Sequence, residues 1–369
     1  MKILVTGARG FVGRNLCAEL KNRGFTDLYE YDLDTNPTLL EEYAHDCEFV
    51  FHLAGVNRPE NPEDFMRGNF GFTSDLLKAL ERHHNQCPIV LSSSIQAERN
   101  NEYGNSKRAG ERLLAEYGEQ TGARVLIYRL PNLFGKWSRP NYNGVIATFC
   151  HNISRGLPIQ INDPDAEICF AYIDDVVEEM LAALEGREHC EGAYCTVPVT
   201  ETVKLGRVAA LIQSFYRSRE NLEVPDLRDA FTRKLYATYL SYLPEDQFSY
   251  SLKKNQDERG SFTEFLRSPD RGQVSVNVAK PGITKGQHWH HTKNEKFLVV
   301  SGEALIQFRK IGAHQVIEYR VKGDEMKVID IPTGYTHNII NVGDTDLITV
   351  MWASEPFDPD HPDTYYEKV

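Results

Sequence analysis

Positive charge is what this chain has too little of. Against 53 acidic residues stand 41 lysines and arginines in 369 positions, a net charge of −12. Without a basic field to attract phosphates, nucleic-acid binding is excluded as its main activity. Long hydrophobic runs are missing too. No apolar stretch reaches the roughly 20 residues of a membrane span, and the chain opens without a charged-then-apolar leader. Cysteine is absent beyond residue 195. All seven (Cys17, Cys47, Cys87, Cys150, Cys169, Cys190, Cys195) precede that point, irregularly spaced and without a CxxC pair. None is then a metal-ligand candidate, and reduced thiols in a cytoplasm are expected rather than disulfides. Repeats and low-complexity linkers are lacking as well. A 41% hydrophobic and 25% charged composition is that of an ordinary globular protein, and the length predicts two domains.

What is present is organised around Met1 to Gly13, MKILVTGARGFVG. Ile3, Leu4 and Val5 read as a buried parallel strand. Gly7, Gly10 and Gly13 follow, then a helix with Val12, Leu16 and Leu20 on one face. Gly7 permits the tight turn, Gly10 lets a pyrophosphate approach the backbone, and Gly13 lets the helix pack on the strand. The helix N-terminus brings free N–H groups to the phosphates. The spacing is GxxGxxG, and Arg9, Phe11 and Val12 complete the cofactor-facing loop. A second strand, Asp27 to Asp32, ends on an acid placed to take ribose hydroxyls, which favours NAD. Arg9 could instead pair with the 2′-phosphate of NADP, so the residues are divided. A third strand, Glu48 to Leu53, leads into Leu53-Ala54-Gly55, where the chain turns close to the cofactor.

A fourth strand enters Ser92-Ser93-Ser94, and nine residues after Ser94 comes Tyr103, with Lys107 four further on. On a helix, residues i and i+4 share a face. The ammonium is therefore expected to lower the pKa of the phenol. Such a tyrosine protonates a carbonyl under reduction, while a serine hydroxyl holds the same oxygen.

These segments together resemble the extended short-chain dehydrogenase/reductases that act on nucleotide sugars. The resemblance covers about residues 1 to 240. It implies a Rossmann-type doubly wound parallel sheet, and a catalytic set of Ser94 (or Ser93), Tyr103 and Lys107. Arg129-Leu-Pro-Asn132 resembles the segment in which the asparagine contacts substrate, and Phe170-Ala-Tyr-Ile-Asp174-Asp175 a later family segment. The gap from serine to tyrosine is shorter than in the sugar epimerases. Ile95-Gln96 stand where the family's dehydratases carry Asp-Glu, so dehydration is not expected.

Near residue 245 the pattern changes, giving expected domains of 1–245 and 246–369. Short alternating runs follow: Gln273 to Ala279, Glu295 to Val300, Ala304 to Lys310, Val316 to Val321, Lys327 to Ile331 and Asp346 to Trp352. They predict an all-β sandwich or barrel. His288 and His290 at i, i+2 face one side of a strand. With Glu295 and His337 they form a donor set suited to a divalent transition metal, zinc by default. His291 replaces His290 if a bulge shifts the register. The two segments resemble the paired motifs of cupin barrels. Asp257-Glu-Arg259-Gly-Ser-Phe262 resembles the opening of cupin-class sugar C3/C5 epimerases, in which the arginine and phenylalanine hold the nucleotide sugar.

Reductase first and metal cupin second, the chain resembles bifunctional capsular polysaccharide synthesis enzymes from end to end. In that family the cupin epimerises C3 of UDP-2-acetamido-2,6-dideoxy-β-L-arabino-4-hexulose. The reductase then reduces C4 with NADPH, giving UDP-N-acetyl-6-deoxy-L-talosamine on the route to UDP-N-acetyl-L-fucosamine. The resemblance decides for NADPH and implies a homodimer. Rival readings are a reductase of a dTDP-4-keto-6-deoxyhexose whose cupin is a non-catalytic, metal-stabilised dimerisation module, and a redox-sensing binding protein.

Overall fold

Three apolar residues in a row, Ile3, Leu4 and Val5, are fully buried, as a strand covered on both faces requires. They belong to β1 (Ile3–Thr6), which pairs in parallel with β2 (Leu28–Tyr31) and β3 (Phe49–His52). β4 (Ile89–Ser94) and β5 (Val125–Leu130) extend the sheet in parallel. The order is β2-β1-β3-β4-β5, so the chain reverses direction across the sheet at β1. That switch point is where doubly wound folds bind ligands, beyond the carboxyl ends of the strands. The helix Phe11–Asn22 leaves β1 through Gly10 and buries Leu16 and Leu20 four residues apart. Each such side chain stabilises the fold by about 1.5–3 kcal/mol. A smaller sheet follows, with β6 (Asn132–Phe134), β7 (Glu167–Tyr172) and β10 (Glu201–Lys204).

The hairpin of β8 (Cys190–Glu191) and β9 (Tyr194–Cys195) closes the large sheet beside β5. It corrects the expectation of seven reduced thiols. Cys190 and Cys195 are direct register partners across the hairpin and form a disulfide, whereas the other five are free. Irregular spacing in sequence hid the tight turn that brings these two together.

The structure is a computed structural model and describes residues 1–268 and 270–369. It divides into two compact units. One comprises Met1–Gln213 with Asp229–Pro244, the other Ser214–Arg228 with Glu245–Val369. In the second unit the Val224 N–H donates to the Arg267 carbonyl at 2.9 Å, which draws the 214–228 segment into it.

Both sheets of the second unit are antiparallel throughout, and the 214–228 segment adds the end of the helix Leu205–Asn221 and a parallel bridge from Glu223 to Arg267. β11 (Lys254–Asp257), β12 (Gly260–Ser268), β13 (Gly272–Ala279), β20 (Leu347–Ala353), β15 (Glu295–Ser301) and β18 (Val328–Ile331) form one sheet. The other contains, in order, β17 (Val316–Lys322), β16 (Glu303–Lys310), β19 (Tyr335–Asn341), β14 (Thr284–Trp289) and β21 (Tyr365–Tyr366). Each run expected from alternation is a strand. Phe297, Val299, Ile306, Phe308 and Ile339 meet in a single core. No helix among the described residues is long and apolar enough to cross a membrane.

Candidate functional site

The nucleotide end of the first unit is shaped by missing side chains. Gly7 has φ +69°, and a Cβ there would come 2.7 Å from Ala54 N. A Cβ on Gly13 would come 2.1 Å from Gly7 O, so no other residue fits this strand–helix crossing. Gly10 caps the helix without a side chain, which leaves the first-turn N–H groups of Phe11, Val12 and Gly13 facing the turn. A turn of this shape is suited to cradling a pyrophosphate. Asp32 stands beyond β2, its carboxylate accepting the Arg9 N–H at 2.7 Å and the Leu33 N–H at 2.8 Å. The Arg9 guanidinium pairs with Asp34, and both side chains are exposed. Leu53 packs on the core, while Ala54 and Gly55 follow β3 at the switch point.

Gly55 adjoins the catalytic candidates, since a Cβ there would lie 2.9 Å from Lys107 Nζ. Tyr103 and Lys107 lie on the helix Glu102–Thr121, and the Lys107 ammonium sits 6.0 Å from the Tyr103 ring centre. Lys107 donates to the Ser92 carbonyl at 3.2 Å. Burial pushes its pKa down to about 8, against the opposing pull of Glu111. Tyr103 departs from expectation. Its pKa is raised, because burial of the phenol outweighs the lowering hydrogen bond with Ser94. The ammonium was expected to prevail; in the protein without cofactor, desolvation does.

The two candidate serines differ in their partners. Ser93 is buried and donates to Glu111, whose carboxylate also grips Arg129 through two hydrogen bonds, 3.0 and 2.7 Å. Ser94 is the serine beside Tyr103, opposing the rise in its pKa, and its hydroxyl accepts the Gln96 N–H at 3.2 Å. Glu111 escaped the sequence reading, although it continues the four-residue step Tyr103, Lys107, Glu111 on one helix face. Asn69 escaped it too. Buried in a π-helical turn, Met66–Gly71, it bonds Val56 N, Val56 O and the Ser106 hydroxyl. Nothing in its neighbouring residues signals this. His52 is structural: its two ring nitrogens contact Thr6 and Thr73 hydroxyls at 2.7 and 2.8 Å, and burial lowers its pKa to about 3. Asn132 is exposed and donates to the Cys169 carbonyl at 3.3 Å. Asp174 and Asp175 pair with Lys136 and Lys234.

In the second unit, the ligand atoms of His288, His290, Glu295 and His337 lie within 4.8 Å of one another. The pairing of β14 with β19 contains a bulge at Gln287, which has φ +64°. The bulge precedes His288, so the alternation of His288 and His290 is intact. His291 is exposed and rests against Trp289 and Tyr365, which leaves it out of the set. Glu295 Oε2 lies 3.5 Å from His290 Nε2 and 3.3 Å from His337 Nε2. All three atoms are buried without a hydrogen-bond partner. Such groups are costly to leave unpaired, and a bound cation would satisfy them together. Burial alone would raise the Glu295 pKa, but the two imidazoles beside it hold it well below the carboxylate range. Burial lowers His288 to about 4, so it is a neutral donor at neutral pH. The donor set, three imidazoles and one carboxylate, fits a divalent transition metal.

The cluster opens into a cavity of about 450 Å³ whose wall includes Arg259, Phe262, Asn277 and Lys285 besides His288 and Glu295. Arg259 is exposed and paired with Asp257 at 2.6 Å. Lys285, another residue the motifs did not flag, donates to Asn277 Oδ1 and Val278 O, each at 2.8 Å.

Residues 3–194 match the NAD dependent epimerase/dehydratase family, and residues 255–365 match the polysaccharide biosynthesis C-terminal domain. A UDP-2-acetamido-2,6-beta-L-arabino-hexul-4-ose reductase from Pseudomonas aeruginosa is 46% identical over 99% of this chain and 98% of that protein. The crystal structure of the capsular polysaccharide assembling protein CapF from Staphylococcus aureus is 52% identical, with a TM-score of 0.94 over 100% of both chains. A UDP-glucuronic acid 4-epimerase from Bacillus cereus, in complex with NAD, shares the fold alone, at 21% identity and TM-score 0.51 over 58% of this chain and 84% of that one. With the glycine cradle and the Ser-Tyr-Lys cluster in place, the chain is an oxidoreductase that uses a nicotinamide cofactor, and it belongs to the NAD dependent epimerase/dehydratase family, in the group whose members continue into a polysaccharide biosynthesis C-terminal domain.

Proposed function

We propose that this chain acts twice on one UDP-linked 4-keto-6-deoxy amino sugar, epimerising C3 in the 246–369 domain and reducing C4 in the 1–245 domain. The observation that carries the reading is that one chain holds both a Ser94–Tyr103–Lys107 cluster and a separate His/Glu cluster opening into a cavity. Full-length likeness to the Pseudomonas reductase and to CapF supports the substrate, UDP-2-acetamido-2,6-dideoxy-β-L-arabino-4-hexulose. The product is then UDP-N-acetyl-6-deoxy-L-talosamine.

The order of steps follows from carbonyl chemistry. The C3 hydrogen is acidic only while C4 is a ketone, so epimerisation precedes reduction. In the reductase site Gly7, Gly10 and Gly13 seat the pyrophosphate, and Leu53, Ala54 and Gly55 line the turn beside it. A bound nicotinamide supplies the hydride. Tyr103 gives its hydroxyl proton to the C4 oxygen as the carbonyl becomes an alcohol. Ser94 orients that oxygen, Lys107 fixes the pocket's charge, and Asn132 contacts the sugar. We favour NADPH. The exposed Arg9–Asp34 pair is of a kind worth at most about 1 kcal/mol, so Arg9 exchanges it readily for a 2′-phosphate. In the cupin, Arg259 and Phe262 hold the nucleotide sugar. His288, His290, Glu295 and His337 hold the metal, zinc by preference, which supplies Lewis acidity and local order. The protein works in the cytoplasm.

A homodimer is part of the proposal. Val316, Ile317 and Tyr319 on β17 are each at least 40% exposed, and β17 is the edge of its sheet. A second copy covering this edge removes both the apolar surface and the unpaired strand. Light scattering of Tyr319→Arg should then show a monomer.

The test uses the whole chain in D₂O with substrate and no NADPH. Loss of the C3 proton signal with a new 3-epimer supports epimerisation by the cupin. An unchanged C3 proton in metal-loaded protein overturns it and leaves the reductase as the catalytic part.

A further inference from the structure

The cluster of three histidines and a glutamate is held from behind by a segment that no motif marks, Asp363 to Val369. The Asp363 carboxylate accepts three consecutive backbone N–H groups, those of His291 (2.9 Å), Thr292 (2.8 Å) and Lys293 (2.9 Å). It also accepts the Thr292 hydroxyl at 3.0 Å. This is the turn between His290 and Glu295, so one carboxylate sets the path of the chain between two of the four donors. The same residue's carbonyl contacts Nδ1 of His290. A carbonyl can only accept, so Nδ1 carries the proton and Nε2 presents its lone pair to Glu295 and His337. Further along, β21 pairs with β14 so that Tyr366 lies opposite His288. The Glu367 N–H donates to the carbonyl of the bulged Gln287 at 3.0 Å, and the Val369 N–H to its side-chain oxygen at 2.9 Å. Lys293, buried behind the turn, donates to the Thr364 hydroxyl at 3.1 Å.

We infer that Asp363 is a positioning residue for the metal, and that the 363–369 segment is the outer shell of the centre. Its backbone carbonyl selects the His290 tautomer, and its carboxylate fixes the turn that spaces His290 from Glu295. Partners that orient metal-bound histidines typically contribute about 10–100-fold to affinity. A segment that merely closed the barrel would stabilise the metal-free and metal-loaded protein alike. A positioning residue acts on the difference between them. The inference rests on the metal reading proposed above.

The experiment compares full-length wild type, Asp363→Ala and Asp363→Asn, each loaded with zinc. It measures zinc release to a chromogenic chelator and the thermal midpoint with and without zinc. The expected result is release at least about tenfold faster in Asp363→Ala, an intermediate rate in Asp363→Asn, which keeps one acceptor oxygen, and a narrower gap between the loaded and free midpoints. Release at the wild-type rate with an unchanged gap overturns the inference, whatever happens to the midpoints themselves. If Asp363→Ala does not fold, the Asp363→Asn rate alone decides by the same criterion. A wild type that takes up no zinc, cobalt or manganese overturns the metal reading itself, and Asp363 with it.

Discussion

The two sites treat their buried polar groups in opposite ways. Around the catalytic candidates of the first unit they are partnered within the protein. His52 bonds through both nitrogens, Asn69 through both ends of its amide, and Glu111 takes Ser93 and Arg129 together. In the second, His290 Nε2, Glu295 Oε2, both nitrogens of His337 and the Asn277 Nδ2 are buried and unpartnered. A fully satisfied network is rigid without a ligand, so the reductase site is a finished surface on which a large cofactor lies. The cupin cluster is finished only when something occupies its centre. The difference predicts which site depends on its ligand for structure as well as for chemistry.

The largest effect that would break this comparison is on the reductase side. Tyr103→Phe should lower NADPH-dependent reduction by about 10²–10⁴-fold, while C3–H exchange and metal content stay at wild-type levels. A loss of exchange in that variant would mean the sites are not independent. Metal removal should do the reverse. Dialysis against a chelator should abolish C3–H exchange and destabilise the second unit by about 4 kcal/mol relative to metal held a thousandfold above its Kd. Calorimetry reads this, with the first unit's transition unmoved.

Lys107 sharpens the contrast from a third side, because it is buried with its charge. Below pH 8 the folded and unfolded chains both hold the proton and the penalty is complete. Between about 8 and 10.5 only the unfolded chain holds it, so stability climbs with pH. Lys107→Met should therefore gain up to about 3 kcal/mol at pH 7. The gain should fade towards pH 10, even as reduction fails; thermal melts across that range test it. The smallest effects separate the neighbouring serines. Ser94→Ala should slow reduction, with little change in stability. Ser93→Ala should cost about 1 kcal/mol of stability and leave turnover close to wild type.

Much of this was legible in the residues, for reasons that differ by element. The glycine cradle could be read because Gly7, Gly10 and Gly13 are each required by a close backbone approach. The strands of the second unit could be read because Val274, Val276 and Val278 alternate with polar neighbours. Half of the His/Glu cluster could be read because short strand spacing brings His288 and His290 together. What stayed hidden depends on contacts far apart in sequence. Asp363 reaches back about 70 positions to the turn it caps, and Cys190 finds Cys195 through a hairpin too short to announce itself. The Tyr103 pKa was misjudged for another reason: counting charges along a helix omits the water that burial removes.

The bulge at Gln287 has a consequence for inheritance. Lys285 and His288 both line the cavity, although residues three apart on a regular strand point to opposite faces. The extra residue restores agreement between them. At this position the length of the chain carries more information than the identity of the side chain. An in-frame loss of one codon would turn Lys285 outwards or His288 and His290 away from their partners. A replacement at 287 would forfeit the bond from Val369 but keep the register, so lineages of this protein should hold the count more strictly than the residue.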